Sequence, residues 1–140
     1  MAVLLPALAG CGADRGSGKN VQAQAVTATQ EEPAAETYAL GTAVTPSGAV
    51  AEASTGDNFV RGGEVFLSVD VSGASTSQKV EVRWVDPTGR VIRTDARQAN
   101  EGTQYIPFSS GQTANWRPGA HRAVIVIDGR RVSEKAFALL

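Results

Sequence analysis

The carboxyl-terminal stretch of residues 116–137 constrains the fold more than any other part of the sequence. An apolar run at residues 123–127, AVIVI, is followed by the dipeptide Asp128-Gly129 and a second extended segment at residues 130–138. Asp-Gly between two such segments is a strong signal for a β-hairpin. Successive side chains of a strand point to opposite faces, so this run is buried on both sides only in the middle of a sheet. The stretch therefore predicts a central strand with both faces covered.

Two further segments alternate in the manner of half-buried strands. The first places Val65, Leu67, Val69 and Val71 on one face, and the second places Val80, Val82 and Trp84 on one face. The tetrapeptide DPTG at residues 86–89 has proline and glycine at positions that β-turns favour. We therefore expect another hairpin here, with Trp84 buried between two sheets.

Weaker signals complete the strand count. Residues 36–45 and 48–55 are possible strands, and residues 103–110 form a short strand that Pro107 restricts to an edge or a bulge. Turn signals recur about every ten residues, and no helical period extends beyond a few residues. We predict an all-β fold, an antiparallel immunoglobulin-like β-sandwich of seven to eight strands at residues 37–140.

Charge is nearly balanced over the 140 residues, with 13 basic and 14 acidic side chains and a formal net charge of −1. The part from residue 60 onward carries eleven basic and eight acidic side chains, a difference of +3 that is scattered rather than clustered. Surfaces that bind nucleic acid usually show clustered lysine and arginine. We therefore expect no nucleic-acid partner.

The amino terminus, MAVLLPALAGCG, ends an apolar run in small residues before the only cysteine. Leu8, Ala9, Gly10 and Cys11 resemble the lipobox of bacterial lipoproteins. This resemblance implies a signal peptide at residues 1–10 and acylation of the Cys11 thiol. No lysine or arginine precedes Cys11 and the run is short for a signal, so either translation starts upstream or the segment is not a signal. The alternative is an apolar terminus with a buried free cysteine.

Residues 11–36 are predicted to be a flexible tether. Between Cys11 and residue 36, Val21 and Val26 are the only branched aliphatic side chains. Such a segment buries too little apolar area to offset its chain entropy. With a lipidated Cys11, the chain would be anchored to the lipid bilayer of a bacterial cell envelope, at the outer membrane facing the periplasm in a Gram-negative cell.

Residues 58–140 also resemble the immunoglobulin-like domains at the carboxyl end of many bacterial envelope lipoproteins. The resemblance rests on a strand tryptophan before a glycine-containing turn, a Pro-Gly before an alternating strand, Asp-Gly and a terminal phenylalanine. These are Trp84, Pro118, Gly119, Asp128, Gly129 and Phe137. His121 stands where a tyrosine is common, and we interpret it as a partly buried histidine in a tyrosine-like site.

No catalytic or metal-binding constellation is visible in the sequence. One histidine and one cysteine cannot form the usual Cys/His zinc sites, and a histidine relay would need carboxylates that the sequence does not cluster. The sequence thus predicts no enzyme activity, no cofactor and no metal. Its remaining polar residues indicate surface binding.

The leading hypothesis is a non-catalytic, membrane-anchored interaction module that binds an unknown envelope protein. One alternative is a protein that binds cell-wall glycan or another saccharide, with Trp116 as an aromatic platform. Another is an envelope inhibitor or chaperone that presents the loop at residues 98–104 or the edge at residues 105–108. The candidate partner surface comprises Arg83, Arg93, Arg122 and Trp116, because arginine and tryptophan are enriched in interfaces.

Overall fold

The computed structural model describes residues 32–73 and 78–140, and nearly all of its regular elements are β-strands. The all-β class is confirmed. One short 3-10 helix, Glu52–Ser54, lies in the segment at residues 48–55 that the sequence predicted to be a strand. The strands are β1 (Tyr38–Gly41), β2 (Asn58–Phe59), β3 (Phe66–Asp70), β4 (Lys79–Val85), β5 (Val91–Gln98), β6 (Tyr105–Ser109), β7 (Gly119–Ile127) and β8 (Arg130–Leu139).

The strands form two sheets. The smaller sheet has the order β1-β3-β6, and the larger has the order β2-β8-β7-β4-β5. β7 lies between β8 and β4, as the AVIVI run predicted, and β6 with its Pro107 lies at an edge. All pairs are antiparallel except β2 and β8, which pair in parallel through two residues each. The expectation of a purely antiparallel arrangement is therefore wrong at β2.

The core lies between the two sheets. Trp84 is 0 % exposed, which confirms its predicted burial. Residues of both sheets join it in one hydrophobic cluster, among them Leu67 and Phe108 from the small sheet and Ile125 and Phe137 from the large one. The alternating side of β3 contributes as predicted, because Val65, Leu67, Val69 and Val71 are all buried.

A second, smaller cluster lies on the outer face of the large sheet. It consists of Val85, Val124 and Val126, each less than a tenth exposed. Val124 is flanked in register by Arg83 on β4 and Glu134 on β8. Long charged side chains can lay their aliphatic stems over apolar neighbours. Both faces of β7 are thus buried at residues 123–126, the inner face in the core and the outer face among neighbours in its own sheet.

Packing of the described chain begins before the predicted domain start at residue 37. Pro33 forms an isolated bridge with Ala51, and the Ala34 N–H donates to the Val50 carbonyl at 2.9 Å. Ala34 is also buried. The predicted signal peptide, Cys11 and most of the predicted tether lie outside the described residues.

Candidate functional site

An aromatic column closes one end of the core. The His121 ring stacks between Trp116 and Phe137, with ring centroids 5.5 Å apart on each side. Trp84 meets Trp116 and Phe137 edge to face at 6.2 and 6.0 Å. His121 is fully buried rather than partly buried as predicted, and its Nδ1 lies 3.1 Å from the Gly119 carbonyl oxygen. The column fixes the position of Trp116, the one member that reaches the surface.

Two nitrogen atoms in this column lack a hydrogen-bond partner within residues 32–73 and 78–140. They are Nε1 of Trp84 and Nε2 of His121. A buried polar atom without a partner typically costs about 1–3 kcal/mol. Ring packing, not hydrogen bonding at these atoms, therefore holds Trp84 and His121 in place.

An open cleft of about 480 Å³ lies beside the exposed part of Trp116. Three separate parts of the chain line it. The first is Arg61, the second is the turn after β4 together with the start of β5, and the third is the loop before β7. The lining residues are Arg61, Asp86, Arg90, Ile92, Asn115, Trp116, Arg117 and Pro118.

Hydrogen bonds to one carboxylate fix the turn that forms a wall of the cleft. Oδ1 of Asp86 accepts from the Thr88 hydroxyl at 2.6 Å, the Thr88 N–H at 2.9 Å and the Arg90 N–H at 3.0 Å. The Thr88 hydroxyl is the main cause that holds the pKa of Asp86 below its ordinary value of 3.8, and the Arg90 N–H adds to it. Asp86 is therefore ionised at neutral pH, and its hydrogen bond to the Arg90 N–H fixes the backbone at Arg90.

Two contacts tie the other parts of the cleft together. Gly119 has φ of 127°, and a Cβ at this position would lie 3.2 Å from Cγ of Pro87, so the start of β7 packs closely on the turn. Arg61 donates from Nη1 to the Trp116 carbonyl oxygen at 3.2 Å. The cleft is thus formed by three backbone segments that contact one another and by the packed ring of Trp116, and not by a single loop.

The charge of the cleft is positive. Three arginines and one aspartate line it, an excess of two positive charges. Within the described part of the chain, none of Arg61, Arg90 and Arg117 forms a salt bridge. Guanidinium groups pair bidentately with phosphate or carboxylate, and an indole face stacks on planar rings. The arrangement can hold an anionic group beside a stacked ring.

The predicted arginine surface is divided between two faces. Arg83 and Arg122 lie on the outer face of the large sheet, where Arg83 pairs with Glu81 at 2.6 Å and Arg122 with Glu134 at 3.6 Å. Arg93 is opposite the buried Trp84 in the β4–β5 register, so its side chain is on the other face. The three arginines therefore do not form one patch.

Arg93 instead bridges the open side between the two sheets. Its Nε lies 3.2 Å from the Ser109 carbonyl oxygen of β6 and 3.1 Å from Oδ2 of Asp95. This contact joins the edge strand of one sheet to the edge strand of the other. Of the four residues predicted for a partner surface, only Trp116 lies in the cleft.

Arg61, Arg90 and Arg117 were not predicted as site residues. Arg117 follows Trp116 directly, and Arg90 follows the DPTG turn, so both are adjacent in sequence to features that the patterns identify. Nothing in the sequence around Arg61 indicates that it reaches the same place.

A second open cleft of about 580 Å³ lies between the β1 side of the molecule and β8. Glu36, Glu52, Asp57, Glu134 and Lys135 supply its charged side chains, with Lys135 Nζ 3.8 Å from Glu36 Oε1. Across the described ranges, no group of three or more His, Cys, Asp and Glu side chains is arranged to hold a metal ion. In the same residues no helix has the length and apolar character needed to cross a membrane.

Comparison with known proteins finds similarity only among solved structures. No family model matches the chain, and no curated protein matches it. Among solved structures, it is similar to the Pseudomonas fluorescens alkylpurine DNA glycosylase AlkC bound to DNA containing an abasic site analog. The two share 18% identity at a TM-score of 0.40. The match covers 59% of this chain and 27% of the glycosylase chain.

Three expectations from the sequence stand against this finding, since the neighbour is a DNA glycosylase bound to DNA. The expectations were a non-catalytic envelope module with its two alternatives, the absence of enzyme activity, and the absence of a nucleic-acid partner. None of them is retained. A TM-score of 0.40 is too low to argue for any activity in their place.

Proposed function

We propose that the cleft beside Trp116 binds a ligand that carries both a planar ring and a phosphate group, of which a nucleotide unit is the simplest example. The observation that carries the proposal is the position of Arg61, Arg90 and Arg117 around the exposed part of Trp116. The Trp116 ring is held in place by its packing against Trp84 and His121. Arginine side chains donate hydrogen bonds to phosphate oxygens, and a nucleotide base stacks on an indole ring.

The two kinds of contact make separable contributions. Stacking of a base on an aromatic side chain is worth about 1–3 kcal/mol by alanine substitution and tolerates any base. Binding to a single strand weakens as salt concentration rises. For each phosphate that the protein neutralises, the logarithm of the binding constant falls by about 0.7 for every tenfold increase in salt. If each of the three arginines neutralises one phosphate, the salt slope of binding is about −2.

The test is titration of the purified full-length chain, carrying Cys11→Ser, with a short oligothymidylate while tryptophan fluorescence and anisotropy are followed. We expect quenching and a salt slope near the value above. Arg90→Gln and Arg117→Gln should each weaken binding and each reduce the slope by about 0.7. Thymidine, which lacks phosphate, should bind far more weakly than thymidine monophosphate.

The matched control is Arg130→Gln. Arg130 is also exposed, but it lies at the other end of the β7–β8 hairpin, about 25 Å along the strands from the cleft. Its substitution should leave both affinity and slope unchanged. Equal loss in Arg130→Gln and Arg90→Gln would identify the binding as nonspecific charge attraction, and no loss in either cleft variant would refute the site.

We also propose that the two sheets form an immunoglobulin-like sandwich. The order β1-β3-β6 fits the A-B-E sheet of that fold, and β4-β7-β8 fits its C-F-G sheet. β5 beside β4 then corresponds to the additional strand at the C edge. A crystal structure in which β5 paired with the small sheet would contradict this assignment.

A third proposal concerns attachment to a membrane of the bacterial envelope. The sequence Leu8-Ala9-Gly10-Cys11 supports lipidation of Cys11, since the reaction needs a thiol preceded by small residues. Stable anchoring usually takes more than one acyl chain, which such a cysteine would carry on both its thiol and its amino group.

A further inference from the structure

The free edge of β5 carries an ordered pattern of charge and hydrogen-bonding groups. β5 is the last strand of the large sheet, and no strand of the described residues pairs with its outer side. Six of its eight residues are exposed. An edge strand with unpaired N–H and C=O groups is a template for pairing with another chain. The charges and backbone groups along this edge determine which strand of another chain can pair with it.

The register fixes which backbone groups point outward. The Ala99 N–H donates to the Gln78 carbonyl at 2.9 Å, toward β4. Because N–H and C=O directions alternate along a strand, the corresponding groups of Thr94, Ala96 and Gln98 point to the free edge. These residues are also exposed. Thr94 lies near the middle of the strand, with its donor and acceptor available.

The side chains alternate in charge between these positions. Arg93, Asp95 and Arg97 share one face of β5, opposite Trp84, Val82 and Val80 in register. Their order along the strand is therefore positive, negative, positive. Like charges directly opposite each other across strands are destabilising, and opposite charges are stabilising. This pattern restricts the registers that a second β5 can adopt.

We propose that β5 pairs antiparallel with β5 of a second copy of this chain, in the register centred on Thr94. In that register Thr94 faces Thr94 of the partner copy, and Arg93 and Asp95 form two equivalent ion pairs across the interface. Registers centred on Arg93, Asp95 or Arg97 place like charges opposite each other. A register centred on Ala96 also pairs unlike charges, but it leaves residues 91–93 of β5 unpaired.

The product is a continuous sheet made of the two large sheets. The Thr94 pair is of the hydrogen-bonded type, since its N–H and C=O groups point outward, and the next pairs join Ile92 to Ala96 on both sides. The Arg93 side chain, already held by the Ser109 carbonyl, keeps its position at the seam.

The experiment measures the molar mass of the full-length chain carrying Cys11→Ser by sedimentation over a range of protein concentrations. We expect a reversible dimer. Asp95→Lys leaves only positive charges on that face and should raise the dimer dissociation constant about tenfold or more. The double variant Arg93→Asp with Asp95→Arg restores two ion pairs in the same register and should restore the dimer.

Cysteine crosslinking tests the register itself. In the Cys11→Ser background, Thr94→Cys introduces the only thiol, and facing Cα atoms about 5.5 Å apart permit a disulfide. Ala96→Cys places the two thiols about 13 Å apart in this register, too far for a bond. We expect oxidation to crosslink Thr94→Cys and not Ala96→Cys.

Three results would overturn the proposal. They are a monomeric wild-type chain at every concentration reached, a dimer unaffected by Asp95→Lys, and preferential crosslinking at position 96. Urea unfolding of each variant shows whether a lost dimer reflects a lost fold, and the charge-swapped double variant decides the matter if Asp95→Lys alone is unstable.

Discussion

Replacing Trp84 with alanine tests the central packing argument. Trp84 is completely buried and meets Trp116 and Phe137 edge to face at 6.2 and 6.0 Å. Truncation of a buried tryptophan typically costs about 3–5 kcal/mol. Domains of this kind are stable by about 5–15 kcal/mol, so the change removes a large part of that free energy. With an m-value near 2 kcal/mol per molar urea, the unfolding midpoint should fall by about 2 M.

The comparison with Trp84→Phe separates packing from the unsatisfied N–H. Phenylalanine keeps one ring and removes Nε1, which has no partner within the described residues. Relief of that buried donor, about 1–3 kcal/mol, offsets part of the lost volume. We therefore expect the midpoint of Trp84→Phe to lie much closer to wild type than to Trp84→Ala. A Trp84→Ala protein with the wild-type midpoint and m-value, or equal losses in both variants, would refute the reasoning.

Three further predictions concern the cleft and the amino terminus. Gly119→Ala should lower the free energy of unfolding in urea by about 1–3 kcal/mol, because a φ of 127° favours glycine and Pro87 lies close to this position. The control Gly63→Ala should change it little, because no atom lies within 4 Å of the added methyl group. Asp86→Asn should lower the urea midpoint at pH 7, because the ionised carboxylate stabilises the turn. The difference from wild type should vanish as the pH falls through the pKa of Asp86, which lies below 3.8, and a difference that stays constant with pH would contradict this prediction. Cys11→Ser should abolish labelling by a fatty-acid analogue and detergent partitioning, and persistent labelling would exclude Cys11 as the acylation site.

Much of the fold follows from local patterns in the second half of the chain. The unbroken apolar run of β7 required a central position, and β7 lies between β8 and β4. Asp128 and Gly129 both have positive φ, 52° and 81°, as a two-residue hairpin turn with matching twist demands. Alternation and turn chemistry act over a few residues, so they can be interpreted without knowledge of the tertiary structure.

The sequence was less informative where pairing depends on distant partners. Residues 48–55 had the composition of a weak strand, yet only isolated bridges such as Val44 with Val50 form there, and the chain turns into a 3-10 helix. β2 has two residues, too few for any period, and exists because β8 offers it an edge. Tertiary context decides such segments.

The site depended on register, which the sequence does not contain. If the register that pairs Val85 with Val91 continued along both strands, Arg93 would lie opposite Arg83 and on the same face. The pairing shifts between Trp84 and Val85, where Val85 pairs with Val91 rather than with Ile92. A shift of one residue moves a side chain to the opposite face of the sheet. The turn between the two strands places Arg90 in the cleft with Trp116.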